Sequence, residues 1–212
     1  MPARPFIRGH LWHLAAIAIA IAAVAPLSGA SWAQSPRAVR IRGTIDAADA
    51  KSINLTTRAG QQLTMAIASD TVILAIVPMK LEDIKPGAFI GAAAMPRPDG
   101  TQRALEVHVF PESMRGTGEG HRPFDLQPQS TMTNGTVGTV AGGAGRTLTV
   151  VYPYGQKTIV VSPDTPVVTF EPGAPDLLTR GAHVIVAGTE AADGTLSANR
   201  VLVGKNGLVP PM

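Results

Sequence analysis

The chain has 212 residues, 45% of them hydrophobic but only 4% aromatic, with 18 Lys and Arg against 15 Asp and Glu. It holds no cysteine, which excludes a disulfide scaffold, thiol chemistry and a cysteine-based zinc site. A formal charge of +3, with so few aromatic side chains for stacking, gives no case for a nucleic-acid or anionic-lipid surface.

Residues 1–33 read as a cleaved secretory signal peptide. Arg4 and Arg8 make a positive start, an apolar run extends from Leu14 to Leu27, and Ser31 and Ala33 place small residues before a cut that leaves Gln34 first. A cut after Ala30 is the alternative. A membrane-spanning helix needs about 20 apolar residues, and Pro26 and Gly29 interrupt this run. Two basic residues, no acidic ones and both tryptophans, Trp12 and Trp32, depart with the signal, leaving a net charge of +1. The expected location is the periplasm, with no membrane attachment after cleavage.

Residues 39–45, 52–57 and 62–67 alternate apolar with polar at a period of two and are predicted strands. Asp70 and Thr71 open a short extended piece reaching Ile76. The stretch 78–84 holds a helical turn with Leu81 and Ile84 inward, ended by Pro86 and Gly87. Residues 88–95 form a strand with almost no polar side. Asp99 and Gly100 make a hairpin turn, and 101–110 closes the set with Leu105, Val107 and Val109 inward.

The same order then returns. Asp70 to Gly87 spans 17 positions and so does Asp164 to Gly181, while Gly87 to Asp99 spans 12 and so does Gly181 to Asp193. The second copy places strands at 135–140, 146–151, 157–161 and 167–170, a helical turn at 176–178, and strands at 184–188 and 195–203. A repeat constrains the architecture ahead of any residue-level detail. Three strands, a short helix and two strands predict an all-β chain of two tandem small OB-like Greek-key β-barrels, residues 37–110 and 133–204. Each has one short helical turn between its third strand and its last two. A module of about 70 residues is marginal alone, so the two are expected to share an interface. Gly142 to Gly145 is glycine-rich but no helix follows, which predicts a hairpin turn and not a phosphate cradle. Residues 205–212 lack periodicity and are expected to form an exposed tail.

Residues 111–132 link the two modules. Gly116, Gly118 and Gly120 alternate with polar residues, and Arg115, Glu119, His121, Arg122 and Asp125 put five ionisable groups within eleven residues. Loops this long are uncommon unless functional or disordered. These five are the candidate ligand- or partner-binding residues, with Arg115 and Arg122 able to grip a carboxylate or sulfate. The alternative is a solvated tether.

Elsewhere the chemistry is thin. His108 and His183 fall on strands at non-equivalent places in the two repeats and are expected to be exposed or edge residues. Asp70 and Asp164 are repeat equivalents in turns, expected to cap backbone N–H groups and not to form a catalytic carboxylate pair. No nucleophile elbow, His-Glu-x-x-His or P-loop motif occurs. No catalytic residue, no cofactor and no resident metal are expected. The alternative is a soft-metal, copper-type site at Met114 and His121, because thioether and imidazole suit Cu(I). Met65 is core by its inward position, and Met79 and Met95 are scattered.

The pattern at Asp70-Thr71, Asp83 to Gly91 and Asp99 to Val107, with the linker from Met114 to Pro123, resembles bacterial exported proteins built from a small repeated β-domain of unknown function, often likened to OB barrels. The likeness covers essentially the whole chain after residue 33. It weakens in the second copy, where Leu177-Leu178-Thr179-Arg180-Gly181 stands in place of Asp83-Ile84-Lys85-Pro86-Gly87. The resemblance implies the fold and export, and no activity or site residue. The expected function is a non-catalytic periplasmic binding or adaptor protein for an envelope protein or a small anionic ligand. A soft-metal carrier ranks second and an enzyme third.

Overall fold

The computed structural model describes residues 35–142 and 146–212. The predicted signal peptide and residues 143–145 of the hairpin expected at 142–145 lie outside the described residues. The chain is all-β, with single-turn 3-10 helices as its only helical pieces among the described residues. Its strands are β1 (Arg37–Ala48), β2 (Ser52–Thr57), β3 (Gln62–Ala66), β4 (Val72–Pro78), β5 (Phe89–Pro96), β6 (Gln102–Val109), β7 (Gly120–Pro123), β8 (Thr131–Ala141), β9 (Arg146–Tyr152), β10 (Gly155–Val161), β11 (Val167–Pro172), β12 (His183–Glu190) and β13 (Leu196–Gly204). The two expected helical turns fall at Leu81–Asp83 and Pro175–Leu177, and two more at Glu112–Met114 and Lys205–Gly207.

Local chemistry accounts for these boundaries. In β2, Ile53 and Leu55 are buried while Asn54 between them is exposed. At the two Asp-Gly-Thr hairpins, Asp99 accepts the Thr101 N–H at 3.0 Å and Asp193 accepts the Thr195 N–H at 2.9 Å. Gly100 and Gly194 take the positive φ that the turn needs. At the Asp-Thr turns the threonine is the cap, contrary to the expectation for Asp70 and Asp164. Thr71 Oγ1 accepts the Ala68 N–H at 2.9 Å, and Thr165 Oγ1 accepts the Ser162 N–H at 3.1 Å.

All the strands join one sheet, in the order β10-β9-β8-β5-β6-β11-β4-β13-β12-β1-β2-β3, with β7 added at β8. The sheet meets itself twice, because β10 also pairs with β6 and β3 with β13. Two sequence-contiguous modules are therefore not confirmed. One closure takes β1–β3 from the first repeat and β12 and β13 from the second. The other takes β8–β10 from the second repeat and β5 and β6 from the first. Strands β4 and β11 carry the chain from one closure to the other and pair antiparallel with each other.

Residue numbers of repeat equivalents differ by 94 from Asp70 onward. Ile76, whose equivalent is Phe170, stands directly opposite Phe170 in the β4–β11 register. The approximate two-fold axis relating the repeats passes between them. The exchange is clamped at the Gly87 and Gly181 turns, both at positive φ. Gly87 N–H donates to Val137 O at 2.7 Å, and Gly181 N–H donates to Ile45 O at 2.8 Å. Each turn thus grips the first strand of the other repeat.

Three apolar clusters follow. One lies among β5, β6 and β8–β10, around Ile90, Val107 and Leu148. A second lies among β1–β3, β12 and β13, around Ile53, Leu55 and Val201. The third sits at the axis and gathers Ile76, Phe89, Phe110, Phe170, Ile185 and Met212. Strand β6 is consequently covered on both faces, by the first cluster on one side and by the linker and residues 205–212 on the other. His108 is only 5% exposed for this reason, where alternation predicts an exposed residue. Nor do residues 205–212 form an exposed tail. Leu208 and Met212 pack into the axial cluster, Arg42 Nε donates to Met212 O and Arg58 donates to Pro210 O, both at 3.0 Å.

Candidate functional site

Three adjacent strands set the floor of a cleft. In register, Gly91 of β5 stands between His108 of β6 and Asn134 of β8. A Cβ on Gly91 would overlap His108 Nε2 and come within 2.7 Å of Asn134 Oδ1, so the imidazole and the amide close over the glycine. His108 Nδ1 lies 3.1 and 3.2 Å from the two oxygens of Glu106, a carboxyl that is 0% exposed. The Ala93 N–H donates to the same carboxyl at 3.1 Å. Phe110 and Phe170 meet the imidazole edge-on, with centroids at 4.8 and 5.7 Å. The Asn134 amide is oriented by its Nδ2, which donates to Thr117 O at 2.9 Å. Its Oδ1 is buried with no hydrogen-bond partner among the described residues.

Above this floor lies a cleft of about 140 Å³. The linker supplies one wall through Met114, Thr117, Arg122 and Phe124, and Phe170, Ile185 and Leu202 supply the other. Met132 and Met212 complete the apolar lining, and Arg40, Arg122 and Arg200 supply three guanidiniums. Arg40 is shared with Asp125 at 3.2 Å. Arg122 donates to Gly118 O at 2.6 Å, and burial first, then the neighbouring Arg40, pushes its pKa down. Arg200 Nε is buried with no partner among the described residues.

Across the pseudo-axis the repeat breaks down at this place. The equivalents of Gly91, Glu106 and His108 are Ile185, Arg200 and Leu202, which line the opposite wall. The two halves keep the same fold and differ where the cleft is.

The residues singled out in the linker separate into two groups. Arg122 reaches the cleft, and Met114 lines it. Arg115 instead donates to Gly87 O at 2.9 Å, pairs with Glu112 and lies over the Phe89 ring, fastening the linker to the β5 side. His121 sits on β7, with Nδ1 2.8 Å from Thr133 Oγ1 and its ring stacked on Tyr152, and burial and Lys157 lower its pKa. Glu119 is exposed. Asp125 accepts from Arg42 at 2.8 and 2.9 Å and from Arg40, with Phe124 beneath both guanidiniums. Met114 and His121 therefore do not share a site. His108, Asn134, Arg40 and Arg200 carry the cleft chemistry, and the mismatch between the repeats at Glu106/Arg200 and His108/Leu202 is the sequence signal that points to them.

The Arg42 hydrogen bonds, against a smaller cost of burial, hold the Asp125 carboxyl down from 3.8 to about 2. A depressed folded-state pKa adds stability above the unfolded value, and that stability is lost as pH falls through about 2. The side chain is 52% exposed, so screening limits the effect to about 1 kcal/mol. Asp125→Asn should lower the melting temperature by roughly 2–4 °C at pH 7. The gap to the wild type should narrow steadily as the pH is taken down towards 2 in parallel melts.

Residues 134–201 match the model of DUF5666, a domain of unknown function. The match runs from Asn134 in β8 to Val201 in β13, across the second repeat. No curated protein and no solved structure matches the chain. The matched stretch, about a third of the chain, supplies Asn134, Phe170, Ile185 and Arg200 to the cleft.

Proposed function

We propose that the chain is an exported, non-catalytic binding protein whose ligand is a small organic anion with an apolar body, held in the cleft beneath the linker. The observation that carries this reading is the buried, unpartnered Arg200 Nε in the wall of an apolar cleft. A buried donor without an acceptor costs about 1–3 kcal/mol, and more when charged. An anion supplies the acceptor, and Arg40 and Arg122 add charge-assisted contacts at the same cleft. The volume of about 140 Å³ suits one small ring, as a cavity of about 150 Å³ holds benzene. The two closures of the sheet support reading the scaffold as two OB-like barrels that have exchanged strands. The apolar run before Gln34 supports export to the periplasm.

Calorimetric titration with benzoate, phenylacetate and the uncharged benzyl alcohol tests the reading. The carboxylates should bind and the alcohol should not. Arg122→Ala should weaken carboxylate binding about tenfold, the loss of roughly 1.4 kcal/mol. Arg115→Ala should keep the affinity and lower only the melting temperature. Binding that survives Arg122→Ala and fails in Arg115→Ala would place the site on the outer linker and overturn the proposal.

A further inference from the structure

We infer that the floor of this cleft is a soft-metal site, built from His108, Met114, Met132 and Met212, which takes a monovalent coinage metal such as Cu(I). Met114, Met132 and Met212 come from three separate elements, the linker, β8 and residues 205–212, and line the same cleft as His108. They are half of the six methionines among the described residues. Thioether and imidazole form a donor set matched to a soft monocation.

The polar floor points the same way. Glu106 accepts at Nδ1 of His108, which puts the ring proton on Nδ1 and leaves the Nε2 lone pair facing away from the carboxyl. A carboxylate behind a histidine is the arrangement that orients an imidazole toward a metal. Asn134 Oδ1 lies beside Nε2 over Gly91, and the amide cannot turn without losing its bond to Thr117 O. Two lone pairs therefore converge on one buried spot where Oδ1 has no partner. A cation between them relieves the conflict. The competing occupant is a proton on Nε2.

Charge narrows the metal. Arg40, Arg122 and Arg200 surround the cleft and Arg42 stands next to Arg40, which opposes a hard dication. A monocation held by neutral donors, with the buried Glu106 carboxyl behind it, suffers least. An anion at the guanidiniums would serve as its counter-ion, although the metal site does not depend on that anion.

Titration of the full chain with Ag(I), a redox-stable probe, and with Cu(I) against a competing chelator tests the inference. Native mass spectrometry gives the stoichiometry, and NMR follows the His108 ring nitrogens and the methionine methyls. One ion per chain should bind. The His108 Nε2 resonance and the methyls of Met114, Met132 and Met212 should shift, while those of Met65, Met79 and Met95 should not. Met114→Leu and Met132→Leu conserve volume and keep the fold. Each should weaken binding at least tenfold, and Zn(II) should not compete. Unchanged affinity in the double variant, or a His108 Nε2 proton that Ag(I) fails to displace, would overturn it. The carboxylate titrations use metal-free protein, so the two proposals fail separately.

Discussion

Replacing Glu106 by Leu should destabilise the protein by about 3–5 kcal/mol, because two buried donors, the His108 Nδ1–H and the Ala93 N–H, lose their acceptor. On a chain of this size that is a fall in melting temperature of roughly 10–15 °C. Glu106 has two tasks. It accepts at His108 Nδ1 and it accepts the Ala93 N–H, which lies at a register shift in β5 and uses the side chain as its acceptor. His108→Leu alone leaves the carboxyl buried without its imidazole. The double variant Glu106→Leu/His108→Leu removes both polar groups, and an apolar pair of similar volume is often tolerated where a broken pair is not. Leu202 already stands at the equivalent of His108 in the second repeat. The double variant should therefore regain about 2 kcal/mol relative to additivity, with the Ala93 N–H accounting for the remainder. Denaturant melts of the four proteins give this coupling directly. Strict additivity would show that the two side chains act independently.

Gly135→Ala and Gly43→Ala should each lower stability by about 3 kcal/mol, or roughly 6–12 °C, through overpacking. A Cβ on Gly135 would overlap Val151 O, and one on Gly43 would overlap Thr56 O, both backbone atoms that cannot step aside. Each glycine lies on the first strand of one repeat, two positions before the residue gripped by the turn of the other repeat. The exchanged pairing makes the two substitutions equivalent in outcome. Calorimetry should show one cooperative transition in the wild type, displaced as a whole by either change. Two transitions, only one of them displaced, would mean that the repeats fold as separate units.

The strands are legible in the sequence because their alternation is local. Ile53 and Leu55, or Leu148 and Val150, mark a buried face with no knowledge of what covers it. The partners of each strand are not legible in this way. Nothing in residues 37–66 tells β1 to pair with β12, and a repeat leaves open whether each copy closes on itself or on its twin. The same limit explains His108. Val107 and Val109 correctly point into one cluster, but period-two alternation only sorts the faces of β6, and here both faces are covered. In the linker, composition singled out a segment that lines the cleft without sorting its charges. Arg122 turns to the cleft while Arg115 and Asp125 fasten the strap, a division set by what each meets on β1, β5 and β8. The cleft's own residues come from both repeats and are spread from Arg40 to Met212, so no local motif announces them.

The most direct test of the proposed anion-binding cleft is native mass spectrometry of the protein purified from its own cells, beside the Arg122→Ala variant prepared identically. One small organic anion per wild-type chain, reduced or lost in the variant, is the result the proposal predicts. A bare wild-type mass that no added carboxylate can shift would contradict it.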